Sequence, residues 1–126
     1  MSNLLPKDGL AFVNPENSDE SVLFNWYSWA EIVKGNMVKY GHKSYEEAHQ
    51  LLTDDPIFQT AADSYDDVYF TSYESEYHWA MLIIHGDQYW YYKGIDSTRP
   101  EDYFEWETPY RKKHKLAEYN FIFNWG

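Results

Sequence analysis

The sequence predicts a mainly α fold with a small β component (α+β), built as one compact domain of about four to five helices around a buried central segment, residues 73–85. Three observations predict it. The most apolar stretch, residues 72–90, carries helix start and stop signals at its ends. Residues 18–40 repeat apolar side chains at helical spacing, and two further capping patterns follow. The β-type runs are short, at Val68–Thr71, Tyr89–Tyr92 and Asn120–Trp125.

The elements follow in chain order. Residues 1–17 read as an irregular lead-in, broken by Pro6, Gly9 and Pro15. Ser18 reads as an N-cap with Asp19 and Glu20 in the first turn. Val22, Trp26, Ala30, Val33 and Met37 then step by four, four, three and four, which predicts an amphipathic helix to about Tyr40, stopped by Gly41. Gly35 weakens or divides that helix, because glycine costs helix stability. Ser44 and Glu47 form a capping box that opens a helix to about Thr53. Asp55-Pro56 opens another, with proline at the first helical position, fading by Ser64. Val68–Thr71 has the composition of a short extended piece.

The central segment is read as a helix. Thr71 and Glu74 make a possible capping box, and Glu74 and Glu76 suit a helix N-terminus. Gly86 stops it, with His85 in the last turn. Tyr73, Tyr77, Ala80, Met81 and Ile84 share one face, while Trp79, Leu82 and Ile83 cover the other, and a helix apolar nearly all round is buried. The competing reading is a β-hairpin of 77–84 with 89–92 around Gly86-Asp87; the end signals favour the helix. Beyond it, Tyr89–Tyr92 reads as extended, 97–106 as a short helix broken by Thr108-Pro109, and Asn120–Trp125 as a closing strand.

Length and composition bound the function. A chain of 126 residues is one ordinary domain and buries enough surface to fold without staples. With no cysteine it has neither disulfides nor thiolate metal sites. The longest wholly apolar run, Trp79 to Ile84, falls far short of the roughly 20 residues of a membrane helix. The N-terminus lacks the charged start and apolar core of a signal peptide, so a soluble, cytoplasmic protein is expected.

Net charge is −11, which opposes contact with a nucleic-acid backbone and favours a basic partner. Between Lys43 and Lys93 there are ten acids and no Lys or Arg. Six Trp, thirteen Tyr and seven Phe are more than a core of this size hides, so some Tyr and Trp should reach the surface and serve in contacts.

Other chemistries find little support. Glu74 and His78 lie four apart, and His78 and His85 seven apart, but no zinc signature is present and a histidine at a buried helix edge explains both. Asp63, Asp66 and Asp67 lack the spacing of a calcium loop. Neither a nucleophile elbow nor a glycine-rich phosphate loop occurs. Paired carboxylates of a glycosidase need a set separation that sequence does not give. The chain is expected to be no enzyme and to use no cofactor or metal. The basic cluster Arg111–Lys115 is expected to solvate a helix face or to pair with the acidic window.

The expected function is neutralisation of a basic protein partner, such as a nucleic-acid-acting toxin or enzyme. Asp54, Asp55, Asp63, Asp66, Asp67, Glu74 and Glu76 are the candidate contact acids, with Tyr65, Tyr69 and Tyr73 as anchors. In size, acidity and aromatic content the chain is similar to bacterial immunity proteins and phage-type nucleic-acid mimics. That likeness is one of composition and carries no residue roles. The alternative is a carbohydrate- or small-ligand-binding domain using exposed Trp90, Trp106 and Trp125.

Overall fold

A computed structural model describes residues 5–126. These form seven helices and a three-stranded antiparallel sheet of order β1-β2-β3. The strands are β1 (Leu10–Asn14), β2 (Asn17–Phe24) and β3 (Phe121–Asn124); the helices are α1 (Trp26–Lys39), α2 (Tyr45–Asp54), α3 (Pro56–Thr60), α4 (Tyr65–Ser72), α5 (Glu76–His85), α6 (Tyr89–Tyr92) and α7 (Tyr103–Lys113). The α+β class expected from the sequence is the class of the molecule.

The lead-in is not irregular from residue 10 onward. Leu10–Asn14 pairs with β2 in a hairpin whose two-residue loop is Pro15-Glu16. The Asn14 side chain closes that turn by accepting from the Glu16 N–H at 2.9 Å, which is asparagine's usual turn chemistry. The expectation for residues 1–4 lies outside the described residues. Ser18 is accordingly no N-cap: it lies in β2, and the four-residue step from Val22 to Trp26 spans a strand-to-helix junction. Asn25 makes that junction. Its N–H donates to the Asn120 carbonyl at 2.8 Å, and its Nδ2 to the Tyr119 carbonyl at 2.7 Å. Its Oδ1 accepts from the Gly9 N–H at 2.9 Å. Asp8 then satisfies the free end of α1, accepting from the Ser28 N–H and hydroxyl at 2.9 and 2.7 Å. A helix N-terminus needs such acceptors, and here they come from outside the helix.

Two of the three capping signals in the middle of the chain hold. Ser44 and Glu47 make a reciprocal capping box on α2, and Asp55 caps α3 with Pro56 at its first position. At α5 the cap is Ser75, which accepts from the His78 N–H, rather than Thr71. Gly86 ends α5 at φ +89°. Thr71 belongs to the preceding helix, donating to the Asp67 carbonyl at 2.8 Å. Val68–Thr71 is thus helical, and so is Tyr89–Tyr92. Both have strand composition, but the sheet forms from other segments and leaves them no strand to pair with. These two make the difference between five expected helices and seven.

α5 is buried through Tyr77, Trp79, Ala80 and Met81, and it packs on α1, which shares the centre of the core. α1 encloses Trp26, Trp29, Ile32, Val33 and Met37. Gly35 does not divide it. A Cβ there would lie 3.0 Å from the Trp106 ring and 3.1 Å from that of Tyr110, so glycine is the residue that lets α7 lie close on α1. α7 also runs through Pro109. Proline forfeits a backbone bond, but side-chain pairs four apart bracket it. Trp106 and Tyr110 rings stand 4.9 Å apart, Tyr110 and His114 4.2 Å, and Arg111 Nε reaches Glu107 at 3.3 Å.

Candidate functional site: an acidic, aromatic face and a polar cleft

The window acids fall on α2 to α5. Asp54 ends α2, where it accepts from Gln50, and Asp55 caps α3. Asp63 and Asp66 are exposed. Asp67 accepts from the Ser64 hydroxyl at 2.9 Å and Glu74 lies 3.9 Å from His78. Among the described residues none of these acids forms an ion pair with Lys or Arg. The basic cluster leaves them alone: Arg111 turns inward to Glu107, and Lys112, Lys113 and Lys115 are exposed.

The tyrosines run along α4. Ring centroids of Tyr65 and Tyr69 are 6.2 Å apart, and those of Tyr69 and Tyr73 5.2 Å. The three differ in burial. Tyr65 is only 5% exposed and belongs to the core, so it is not a surface anchor. Its position packs α4 onto β1 and β2, and Tyr69 and Tyr73 follow about one and two turns further along the same side of the helix. Tyr69 is half-buried, and Tyr73 is 71% exposed. The sequence reading missed what else joins them. Phe123 and Trp125 stack on each other at 4.7 Å, and Tyr69 meets both edge-on at 5.7 and 6.1 Å. The hydroxyl pKa of Tyr69 is raised, chiefly by Tyr73, and that of Tyr65 is raised, chiefly by burial; the negative charge of Glu20 on β2 adds to both. The alternation of Phe121, Phe123 and Trp125 was the available signal, since it puts these rings on one side of a strand.

Glu76 departs from the group. Its carboxylate turns inward and accepts from Asn120 Nδ2 at 2.8 Å. Burial raises its pKa above the usual carboxylate range, Asn120 opposes the rise, and Glu107 adds to it. As the first residue of α5 it faces β3 and α7, not solvent with Glu74, so it is no contact acid for a flat partner.

It lines instead a cleft of about 700 Å³ between α5, α7 and the strand-leading segment 116–121. A polar chain forms its floor. Arg111 Nε donates to Glu107, and Arg111 Nη1 to the Ala117 carbonyl at 2.8 Å and to Asn120 Oδ1 at 3.0 Å. Tyr103 extends the chain inward: its hydroxyl accepts from Asn36 Nδ2 at 2.9 Å, and burial, with the charge of Glu107 nearby, raises its pKa. Phe104, Tyr119 and Phe121 supply apolar wall. Phe121 stacks on Phe24 at 4.9 Å. One face of β3 therefore reaches from the cleft, at Phe121, to the aromatic face, at Phe123.

Trp106 packs against Tyr40, Tyr103 and Tyr110 and is part of the core margin. It is half-buried, whereas Trp90 and Trp125 are 45% and 58% exposed. Among the described residues no cluster of three His, Asp or Glu is placed to hold a metal ion, and no helix is long and apolar enough to cross a membrane. Comparisons with protein-family models, curated proteins and solved structures find no match to this chain.

Proposed function

We propose that the chain is a binding protein that neutralises a basic protein partner, of the kind a nucleic-acid-acting toxin or enzyme presents, and that it does so without catalysis. The contact surface is α4 with its flanks: Asp54, Asp55, Asp63, Asp66, Asp67 and Glu74 for charge, Tyr69, Tyr73 and Trp125 for apolar contact. One observation supports this reading above the rest. The window acids have no Lys or Arg partner among the described residues, and the exposed ring of Tyr73 closes the helix that carries Asp66 and Asp67. Acids left unpaired make a field of one sign, which speeds encounter with a positive surface. Tyr and Trp hold a partner once it docks, because each presents a large apolar body with a polar tip.

The test is affinity capture from the native host with the wild-type chain and with the triple variant Asp63→Asn, Asp66→Asn, Tyr73→Ala. A basic protein should be retained by the first and lost by the second. Its association rate should fall steeply with salt, since charges are screened over about 8 Å at physiological ionic strength. Equal capture by both proteins, or a flat rate from low to high salt, overturns the proposal.

A further inference from the structure

We propose that the cleft between α5 and α7 is a binding site for a small organic cation, a guanidinium or ammonium group carried on a short apolar stem. The inference stands apart from the surface on α4. Three carboxylates line the cleft, Glu76, Glu107 and Glu118, against two cations, Arg111 and Lys112. The pairing inside it is unequal. Arg111 donates through Nε to Glu107 and through Nη1 to the Ala117 carbonyl and Asn120, and no hydrogen bond joins it to Glu76. Lys112 is exposed at the rim, as is Glu118. The carboxylate left on the floor without a cation is that of Glu76, whose one side-chain partner is the neutral amide of Asn120.

A carboxylate taken out of water gains most from a charged donor. The molecule supplies none: among the charges acting on Glu76, the repulsion of Glu107 ranks ahead of the attraction of Arg111. A ligand cation seated over Glu76 would meet that need. The shape agrees. A site of about 700 Å³ lies within the range of small-molecule pockets. Phe104 and Tyr119 flank it with exposed rings, and a guanidinium plane or a methylene stem packs well on aromatic faces.

The test uses butylguanidinium and its neutral near-isostere butylurea, titrated into the full chain and followed by amide chemical shifts. Butylguanidinium should give saturable shifts centred on Glu76, Glu107 and Asn120, and butylurea should bind at least about tenfold more weakly. Glu76→Gln should weaken butylguanidinium by about the same factor, with native folding checked by denaturant unfolding. Phe104→Ser, at an exposed wall position, should weaken both probes while leaving the fold intact. Binding should also release a proton and tighten as pH rises, because Glu76, which faces Glu107, Arg111 and Lys112 of α7 and Glu118, must ionise. Equal binding of the two probes, unchanged affinity in Glu76→Gln, or no saturable shift at the cleft each overturns the inference. Equal binding would mark the cleft as a site for neutral ligands.

Discussion

Replacing Tyr103 by Phe removes one hydroxyl from the joint between α1 and α7. The ring is 1% exposed and keeps its packing, so no sizeable cavity opens. What changes is the polar accounting. Asn36 Nδ2 loses its bond to the hydroxyl at 2.9 Å but keeps the one to the Ile32 carbonyl at 2.8 Å. Glu107 keeps its bond from Arg111. A buried donor left unpaired costs about 1–3 kcal/mol. Dropping the hydroxyl's own desolvation returns part of that, leaving a net loss of about 1–2 kcal/mol. With a urea dependence of about 2 kcal/mol per molar, the unfolding midpoint falls by about 0.5–1 M. Six tryptophans make intrinsic fluorescence the natural probe. The pair should also couple: with Asn36→Ala, a double-mutant cycle should give about 1 kcal/mol of interaction. A midpoint shift under about 0.2 M, or strict additivity in the cycle, would show that this bond does not hold the joint.

Two further outcomes follow from the same structure. Glu76 binds its proton more tightly folded than unfolded, because burial raises its native pKa. Its contribution to stability is therefore lost as pH rises from the ordinary carboxylate range through the raised native value. Glu76→Gln should flatten that part of the stability–pH curve and be the more stable protein above it; parallel curves would refute the assignment. Gly41→Ala should destabilise by about 1–3 kcal/mol, because the new Cβ would lie 2.7 Å from the Met37 carbonyl oxygen and against the end of Ile84. An unchanged or raised melting temperature would count against so close a turn after α1.

Some of the candidate site was legible in the residues and some was not. Ser44 and Glu47, Asp55-Pro56 and Gly86 act within one turn of helix, and each does what its local chemistry dictates. The strand at Phe121–Asn124 showed in its alternation. The hairpin at its side did not, because Asn-Pro-Glu-Asn is not the usual glycine turn, and Val22 to Trp26 imitated a helical step. Tyr65 and Tyr73 look alike in the sequence, yet one is core and the other surface. The position of α4 on the sheet decides which.

By itself the sequence determined the acidity, the excess of aromatic rings, the mixed fold class and the ends of the middle helices. All of these depend on composition or on neighbours three and four residues apart. Only the tertiary structure decided that Glu76 meets Asn120 across 44 positions and that Asn36 meets Tyr103 across 67. Such contacts depend on the direction in which whole elements pack. Gly35 admits α7 to the surface of α1, and Asn25 ties the end of β2 to the segment before β3. A cleft is made where those elements fail to close on one another, and no local pattern of side chains encodes that gap.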